Sequence, residues 1–483
     1  MRKDQADTSA KYLWTILLTI FVLFVSSCTG TPTPVSNTPS LTNLPDQDPT
    51  PTNNSVMTPT ETQVVTPTED PSDSLIANPE DLEGISIRFM HALSVSTATL
   101  LEDIARQFSL TNPWGIWVDV EAFGNERLLL EALQSAMDQD DLPGLFAIHP
   151  IILDNLEKEY PTINLFAYQN DDSWGFSGNE QADFSSILME AFAQDDTLTA
   201  LPFSPTSRVI FYNTTWGEAL GFTESPINQA GFQDVSCAAT EQNLNDEQVN
   251  NDGTGGWLIN FDPLVWLSWY HAFGGDWEGK PGPTFNDELG RIAFGTFKSL
   301  YDQGCIWIGR RSDPYSYFAE RIAVMYAGSL EQIPIQSGWM EQVENDDEWT
   351  VVGFPGPEAN SMLVKSSGLF LSENAPEEQL ASWLFAKHLS SPDVEAELIK
   401  SSFSLPVRTS TMDFLLDFSE EYPQWAEGVA LLDNASYVPT SDDWELGQWV
   451  LQDAIYQIFL READQLPGIL EELDRMIGEV TGE

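Results

Sequence analysis

LTALPFSPTSRVIFYNTTWGEALGF (Leu198–Phe222) carries signals that no single-layer domain requires. Pro202 and Pro205 precede a β-like run, Val209–Tyr212, which is followed by a turn at Asn213 and a short helical segment. Proline lacks a backbone donor and pushes the preceding residue into extended geometry, so prolines beside a strand mark a chain crossing or a stiff bend. A crossing implies a folded body on each side of it.

On the N-terminal side, Ile85, Ile87 and Phe89 alternate as in a strand, and Leu100, Ile104 and Phe108 recur at helical spacing. The pattern repeats with Val118, Val120 and Ala122, then the helical ERLLLEALQSAM (Glu126–Met137), then the apolar run Leu145–Ile148. Such a β-α-β-α-β series predicts a parallel sheet covered on both faces, with ligands at the carboxyl ends of its strands. His91 and His149 follow two of those strands and are candidate cleft residues. The chain of 483 residues is long enough for two lobes of roughly 150–200 residues each.

Charge narrows the function classes. Twenty Lys+Arg stand against 75 Asp+Glu, a formal −55, and such a field repels phosphodiesters and anionic lipid headgroups, so nucleic acid is excluded as a partner. With 42% hydrophobic residues, including 16 Trp, 27 Phe and 12 Tyr, the acidity does not imply disorder.

The chain opens with Arg2, Lys3 and Lys11, an apolar run Tyr12–Val25, and Ser26-Ser27-Cys28. As a helix that run spans only ~21 Å, short of a hydrocarbon core of ~30 Å, so a cleaved signal segment is expected rather than a lasting span. From Thr29 to about Glu80 the sequence is dominated by Thr and Pro and contains no Lys or Arg, the composition of an extended tether. Common catalytic signatures are missing: there is no H-E-x-x-H and no G-x-S-x-G. Gly274–Lys280 spells G-x-x-x-x-G-K, but Pro281 follows where a phosphate loop needs Ser or Thr, so the match is discarded. A pair of glycosidase carboxylates cannot be chosen from sequence, because its defining separation is spatial.

Val-Ser-Ser-Cys (Val25–Cys28) resembles a bacterial lipobox, which implies a lipid on Cys28 and a protein held at the outer face of the cytoplasmic membrane. The ordered series beyond it resembles the extracellular solute-binding proteins of ABC importers, family 1, the maltose-binding-protein-like sugar-binding group. The landmarks are Pro202 with Tyr212-Asn213, GGWLINFDPLVWLSWYHAFGGDW (Gly255–Trp277), AFGTFKSLYDQGC (Ala293–Cys305), FAERIAVMYAGSLEQ (Phe318–Gln332), WTVVGFPGPE (Trp349–Glu358), and Ser366–Arg408.

The resemblance implies an α/β, two-lobed, type II binding-protein fold with three hinge crossings, near Phe203–Arg208, Phe354–Pro357 and Ser404–Arg408. It divides the chain into a signal segment (1–27), a lipid-anchored linker (28–84), lobe one (85–205 with 355–405) and lobe two (206–354 with 406–483). It also implies a monomer that captures a small solute, most consistently a sugar, and delivers it to membrane permease subunits with no cofactor and no catalysis. In the family's sugar sites a glutamate stands where this chain has Asp262, a binding carboxylate at Thr206, a stacking tryptophan at Glu331, and a C-terminal stacking aromatic at Trp444, with Trp449 as its alternative. Trp257, Trp266 and Trp269 lie close to Asp262 in sequence; stacking platform and packed core are both open readings for them. Phe203, beside the first crossing, is expected as a cleft wall or a hinge plug.

Cys237 and Cys305 both fall in the expected second lobe. Outside the cytoplasm a structural disulfide is favoured, closing a loop of 68 residues for roughly 4 kcal/mol on chain-entropy grounds. Two buried free thiols or a metal site are the alternatives, the latter without a CxxC or a histidine pair. Two other functions stay open at this stage: a binding protein for a polyamine or other cationic solute, and an extracytoplasmic lipoprotein glycosidase.

Overall fold

The computed structural model describes residues 79–481 apart from 154–155, 157–158, 278–282, 312 and 440–442. The signal segment, Cys28, the Thr/Pro tether and part of the discarded G-x-x-x-x-G-K match lie outside those residues. Folding starts slightly ahead of Ile85: Leu82, in a short 3-10 turn, is already fully buried in the core.

The first half alternates as the periodicity predicts. Strand β1 (Ser86–His91) is followed by α1 (Val95–Thr111), β2 (Trp117–Ala122), α2 (Glu126–Gln139) and β3 (Leu145–Ile148). β1 pairs in parallel with both β2 and β3, so the ends of all three strands open to the same side. The helices start there on side-chain caps. Ser94 accepts from the Thr97 amide at 3.4 Å and Asn125 from the Leu128 amide at 3.0 Å, satisfying donors that a helix start leaves orphaned.

The second half has its own parallel core. β4 (Leu201–Asn213), α3 (Gln229–Asn245), β5 (Gly255–Leu258), α4 (Pro263–Ala272), α5 (Glu288–Asp302), β6 (Ile306–Trp307) and β7 (Ala323–Ser329) follow in order, and β5 lies parallel to both β6 and β7. β8 (Trp349–Val352) and the long β9 (Asn360–Leu371) complete the strands that matter to the site. The sheet order is β2-β1-β3-β9-β4-β7-β5-β6, with β8 also on β4.

Two strands are shared by both halves. β4 pairs antiparallel with β9 over Leu201–Ser207 and with β7 over Arg208–Tyr212, while β9 continues onto β3. Pro202 and Pro205 therefore sit within this strand rather than beside it. They are tolerated because β4 changes partners there, Ser204 adopts a left-handed φ of 52°, and β9 is bulged between Lys365 and Ser367.

The third connection is pinned by charge. Arg408 is almost fully buried; its Nε donates to Asp183 Oδ2 at 2.9 Å and its Nη1 to the Ser390 carbonyl at 3.2 Å. Glu395, also buried, accepts from the Val407 amide and the Thr411 hydroxyl. The core forms two clusters. The larger fills the first half and continues beneath Phe211, Tyr326 and Trp349, taking in Leu415, Phe418 and Trp425 from beyond the third crossing. The smaller joins α3, α4 and α5 to α6 (Asp443–Leu460) and α7 (Leu466–Thr481).

Cys237 in α3 and Cys305 after α5 are disulfide-bonded. The glycine beside the bridge is obligatory: a Cβ on Gly256 would lie 1.8 Å from the Cys305 carbonyl oxygen and 2.6 Å from that of Ser236. Among the described residues no helix is long and apolar enough to cross a membrane. Removing one partner of a buried ion pair leaves the other charge uncompensated, so Arg408→Leu should lower unfolding free energy by about 3–5 kcal/mol in urea titration. A loss below about 1 kcal/mol would mean that Arg408 is not a clamp.

Candidate functional site

The carboxyl ends of both parallel sheets face one cleft. Its main chamber has a volume of about 760 Å³. The first half contributes the loops after β1, β2 and β3, with Ser94, Glu126 and His149; the second contributes Glu331, just after β7. The floor is the shared strand pair, presenting Thr206 and Arg208 from β4 and Lys365 from β9. A second chamber of about 290 Å³ shares Glu126, His149, Arg208 and Lys365 with the first and adds Asp262, Trp444 and Trp449.

Charged groups alternate across this floor. Asp262 caps α4, accepting from the Leu264 amide at 2.9 Å through Oδ1 and from Arg208 Nε at 2.6 Å through Oδ2. Its loop is held by Asn260, whose Oδ1 accepts from the Asp262 amide at 2.8 Å and whose Nδ2 donates to the Ala327 carbonyl at 3.0 Å. Glu126 accepts from the His149 amide at 3.2 Å. Burial lowers the Lys365 pKa, as does the neighbouring Arg208 charge, while Glu126, Asp262 and Glu331 pull it back up. Lys365 thus sits among three carboxylates without a hydrogen-bonded acidic partner of its own among the described residues.

His149 is 7% exposed, and neither ring nitrogen has a partner among the described residues. Burial, then the Lys365 charge, depress it to about 3, so the imidazole is neutral at physiological pH. A neutral imidazole offers one donor and one acceptor. The Thr206 hydroxyl, also buried, is likewise unpartnered.

Of the residues singled out in the sequence, His149, Thr206, Asp262, Glu331 and Trp444 line the cleft. Four do not. His91 is fully buried beneath the first loop, where its Nδ1 accepts from the Leu93 amide at 3.2 Å. Phe203 packs on Phe89 and lines a gap of only about 20 Å³ behind the first crossing. Trp257 on β5 and Trp266 on α4 are fully buried and cluster with Trp269 and Phe297, because β5 is a central strand of the sheet and α4 is buried from Leu264 through Tyr270. Trp266 acts from below instead: its indole N–H donates to the Asn260 carbonyl at 2.6 Å and steadies the Asp262 loop.

Sequence reasoning missed Arg208, Lys365 and Glu126. A lone lysine within the apolar MLVKSSGLFL was the available signal for Lys365, since a charge in a two-sided strand needs an opening beside it. Among the described residues no group of His, Cys, Asp or Glu side chains is arranged to hold a metal ion.

The chain belongs to the bacterial extracellular solute-binding protein family, whose sequence model matches residues 130–429. A comparison with curated proteins gives no match. Among solved structures, the fold is similar to the sugar-binding protein MalE from Xanthomonas citri (19% identity, 82% of this chain and 97% of that one, TM-score 0.70). It is similar also to the cyclic alpha-maltosyl-1,6-maltose binding protein from Arthrobacter globiformis (14% identity, 83% and 100%, TM-score 0.67). UgpB from Mycobacterium tuberculosis, in complex with glycerophosphocholine, shares the fold at 15% identity (82% and 98%, TM-score 0.65). At these identities the likeness establishes the two-lobed architecture that the landmark series implied.

The depressed histidine has a consequence for stability. An unfolded chain protonates histidine near pH 6.5, whereas folded His149 resists protonation down to about 3. As pH falls through that window the unfolded state binds the extra proton, and stability drops by about 1.4 kcal/mol per pH unit for this one group. His149→Asn should therefore flatten the acid limb between pH 6.5 and 5 in urea titrations relative to wild type. Parallel limbs would contradict the burial of a neutral imidazole.

Proposed function

We propose that this protein is the substrate-binding lipoprotein of an ABC importer, held by a lipid on Cys28 at the outer face of the cytoplasmic membrane, and that its solute is a neutral carbohydrate. The single observation carrying the carbohydrate reading is the cleft floor, where donors Arg208 and Lys365 alternate with acceptors Glu126, Asp262 and Glu331. Sugar hydroxyls both donate and accept, so a mixed array satisfies them without placing net charge on the ligand. Trp449, well exposed at the cleft, adds ring surface for the C–H face of a pyranose, with Trp444 packed in the core behind the same chamber.

The same array gives a polyamine no clear advantage, because Arg208 and Lys365 stand among the carboxylates that would otherwise hold a polycation. It also supports holding rather than turnover: Asp262 is committed to a helix cap and to Arg208, and Glu126 to a backbone amide. The solute would bridge the halves and shift the protein toward a closed form, since a ligand moves such an equilibrium only through contacts that differ between the two states. The closed monomer would then dock on the permease subunits, one per lobe.

A thermal-shift panel of neutral saccharides, polyamines and glycerophosphodiesters tests this. A saccharide present at a hundredfold over its Kd adds about 2.7 kcal/mol to stability and should raise the melting temperature with the sugar recovered unchanged. Lys365→Met, which removes a charged donor worth about 1.5–3 kcal/mol, should weaken that saccharide roughly ten- to a hundredfold in calorimetry. A response confined to spermidine, or hydrolysis products in the tube, would contradict the proposal.

A further inference from the structure

The third crossing is gripped from both halves. On one side the helix Pro392–Ser402, which packs on α1, reaches it through Glu395, whose carboxyl meets the Val407 amide and the Thr411 hydroxyl. On the other, Trp425 Nε1 donates to the Ser404 carbonyl at 3.0 Å, and the neighbouring Gln424 donates to the carbonyl of Trp349 in β8 at 3.1 Å. The first crossing is tied to the third as well: the Leu405 amide donates to the Pro205 carbonyl at 2.8 Å.

The two crossings share a void. The gap of about 20 Å³ behind Phe203 is lined by Ser204 and Pro205 from the first crossing, by Ser404, Leu405 and Val407 from the third, and by Glu395. A space of that size holds about one water. Each crossing also contains or adjoins a left-handed residue that is not glycine, Ser204 at φ 52° and Phe403 at φ 58°, and both of these line the main chamber. Such backbone persists only where its surroundings impose it, and hinges turn on a few residues of this kind.

We propose that Glu395 is a proton-operated latch on the hinge: protonated, it keeps the third crossing seated on the first half, and ionised, it draws water into the shared void and lets the halves part more readily. The inference goes beyond solute binding and does not depend on which solute is held.

The physical basis is the cost of sealing a charge in protein. Glu395 is 7% exposed, and two hydrogen bonds restore only part of the hydration that a carboxylate loses there. Burial drives its pKa up to about 7, while the Thr411 hydroxyl, the Val407 and Arg408 amides and the Arg408 charge pull it the other way. Protonation removes the charge and keeps both contacts, one oxygen accepting from the amide and the other donating to Thr411 Oγ1. Water in the void returns the group toward its ordinary value of 4.5. The seated arrangement therefore binds the proton more tightly. Its advantage is complete below about 4.5 and is lost as pH rises to 7, by up to about tenfold per pH unit.

Other ionisable groups around the latch are engaged elsewhere. On its own helix Asp393, Glu397 and Lys400 are exposed, as are Glu102, Asp103 and Arg106 on α1 and Asp413 beyond the crossing. On the preceding helix Lys387 donates to the Trp174 and Gly175 carbonyls, and His388 packs on Phe108. Arg208 of the first crossing is paired with Asp262, and Asp183 is held by Arg408 and by the Ser410 amide. Arg408 is thus the charge that acts on Glu395. His149, in the cleft, titrates with the opposite sign, and substitution at 395 separates the two.

The test uses the ligand-free full chain in detergent, spin-labelled at Gln107 and Glu471, with distance distributions recorded from pH 5 to pH 8. The expected result is a longer-distance population that grows at least tenfold relative to the shorter one and levels off near pH 7. Glu395→Gln offers the same donor and acceptor as the protonated acid, so it should hold the pH 5 distribution throughout. Thr411→Val removes a hydrogen bond that lowers the carboxyl's pKa, so its plateau should move to higher pH. A wild-type distribution that is the same at pH 5 and pH 8 would overturn the latch, and so would a rise that survives in Glu395→Gln. Should Glu395→Gln fail to fold, Thr411→Val decides, and a plateau left at pH 7 sinks the idea. No saccharide is present, so none of these outcomes bears on the carbohydrate reading.

Discussion

The antiparallel pairing of β4 with β9 is the constraint on which the rest depends. These are the strands that belong to both halves, and their register sets Thr206 opposite Lys365 and Ser207 opposite Val364. A one-residue slip would turn every side chain to the other face, burying Lys365 in the core and pointing Val364 at solvent. The bulge after Lys365 prevents that, and Ser366 locks it: its amide donates to the Tyr437 hydroxyl at 2.8 Å, and its Oγ accepts from the Phe203 amide at 3.1 Å. The same pair is therefore the floor of the cleft and the connection between the bodies that form its walls.

Placing cations on that floor is unusual in a chain with a formal charge of −55. Surface carboxylates act across water and are screened beyond about 8 Å at physiological ionic strength, so they do not set the chemistry of the cleft. What sets it is the handful of groups close to Lys365, and there two cations face three carboxylates. The acidic exterior and the mixed interior are separate features. The first governs encounter and solubility, and the second decides what is held.

Much of the fold was legible because local periodicity and tertiary structure agree. The β-α-β-α-β reading of Ile85–Ile148 matches β1 to β3 with their helices, and the prolines at 202 and 205 fall in the stretch of β4 that precedes its change of partner from β9 to β7. The site was less legible. Asp262 lies at the cleft, whereas Trp257 on β5 and Trp266 on α4, close to it in sequence, are core. An apolar helix buried on all sides shows no periodic face, so sequence could not say which tryptophan looks outward. Lys365 and Arg208 were passed over because each is single in its strand, and only the shared pairing brings them together.

The most direct test of this account is the distance between the two halves. Spin labels at the exposed positions Gln107, on α1, and Glu471, on α7, would report it by pulsed electron resonance in the presence and absence of a saccharide that stabilises the protein. The account predicts a shorter and narrower distance distribution when the saccharide is bound. Tight binding with an unchanged distribution would contradict it, because the cleft would then be a fixed pocket and the shared strand pair merely a joint between two rigid bodies.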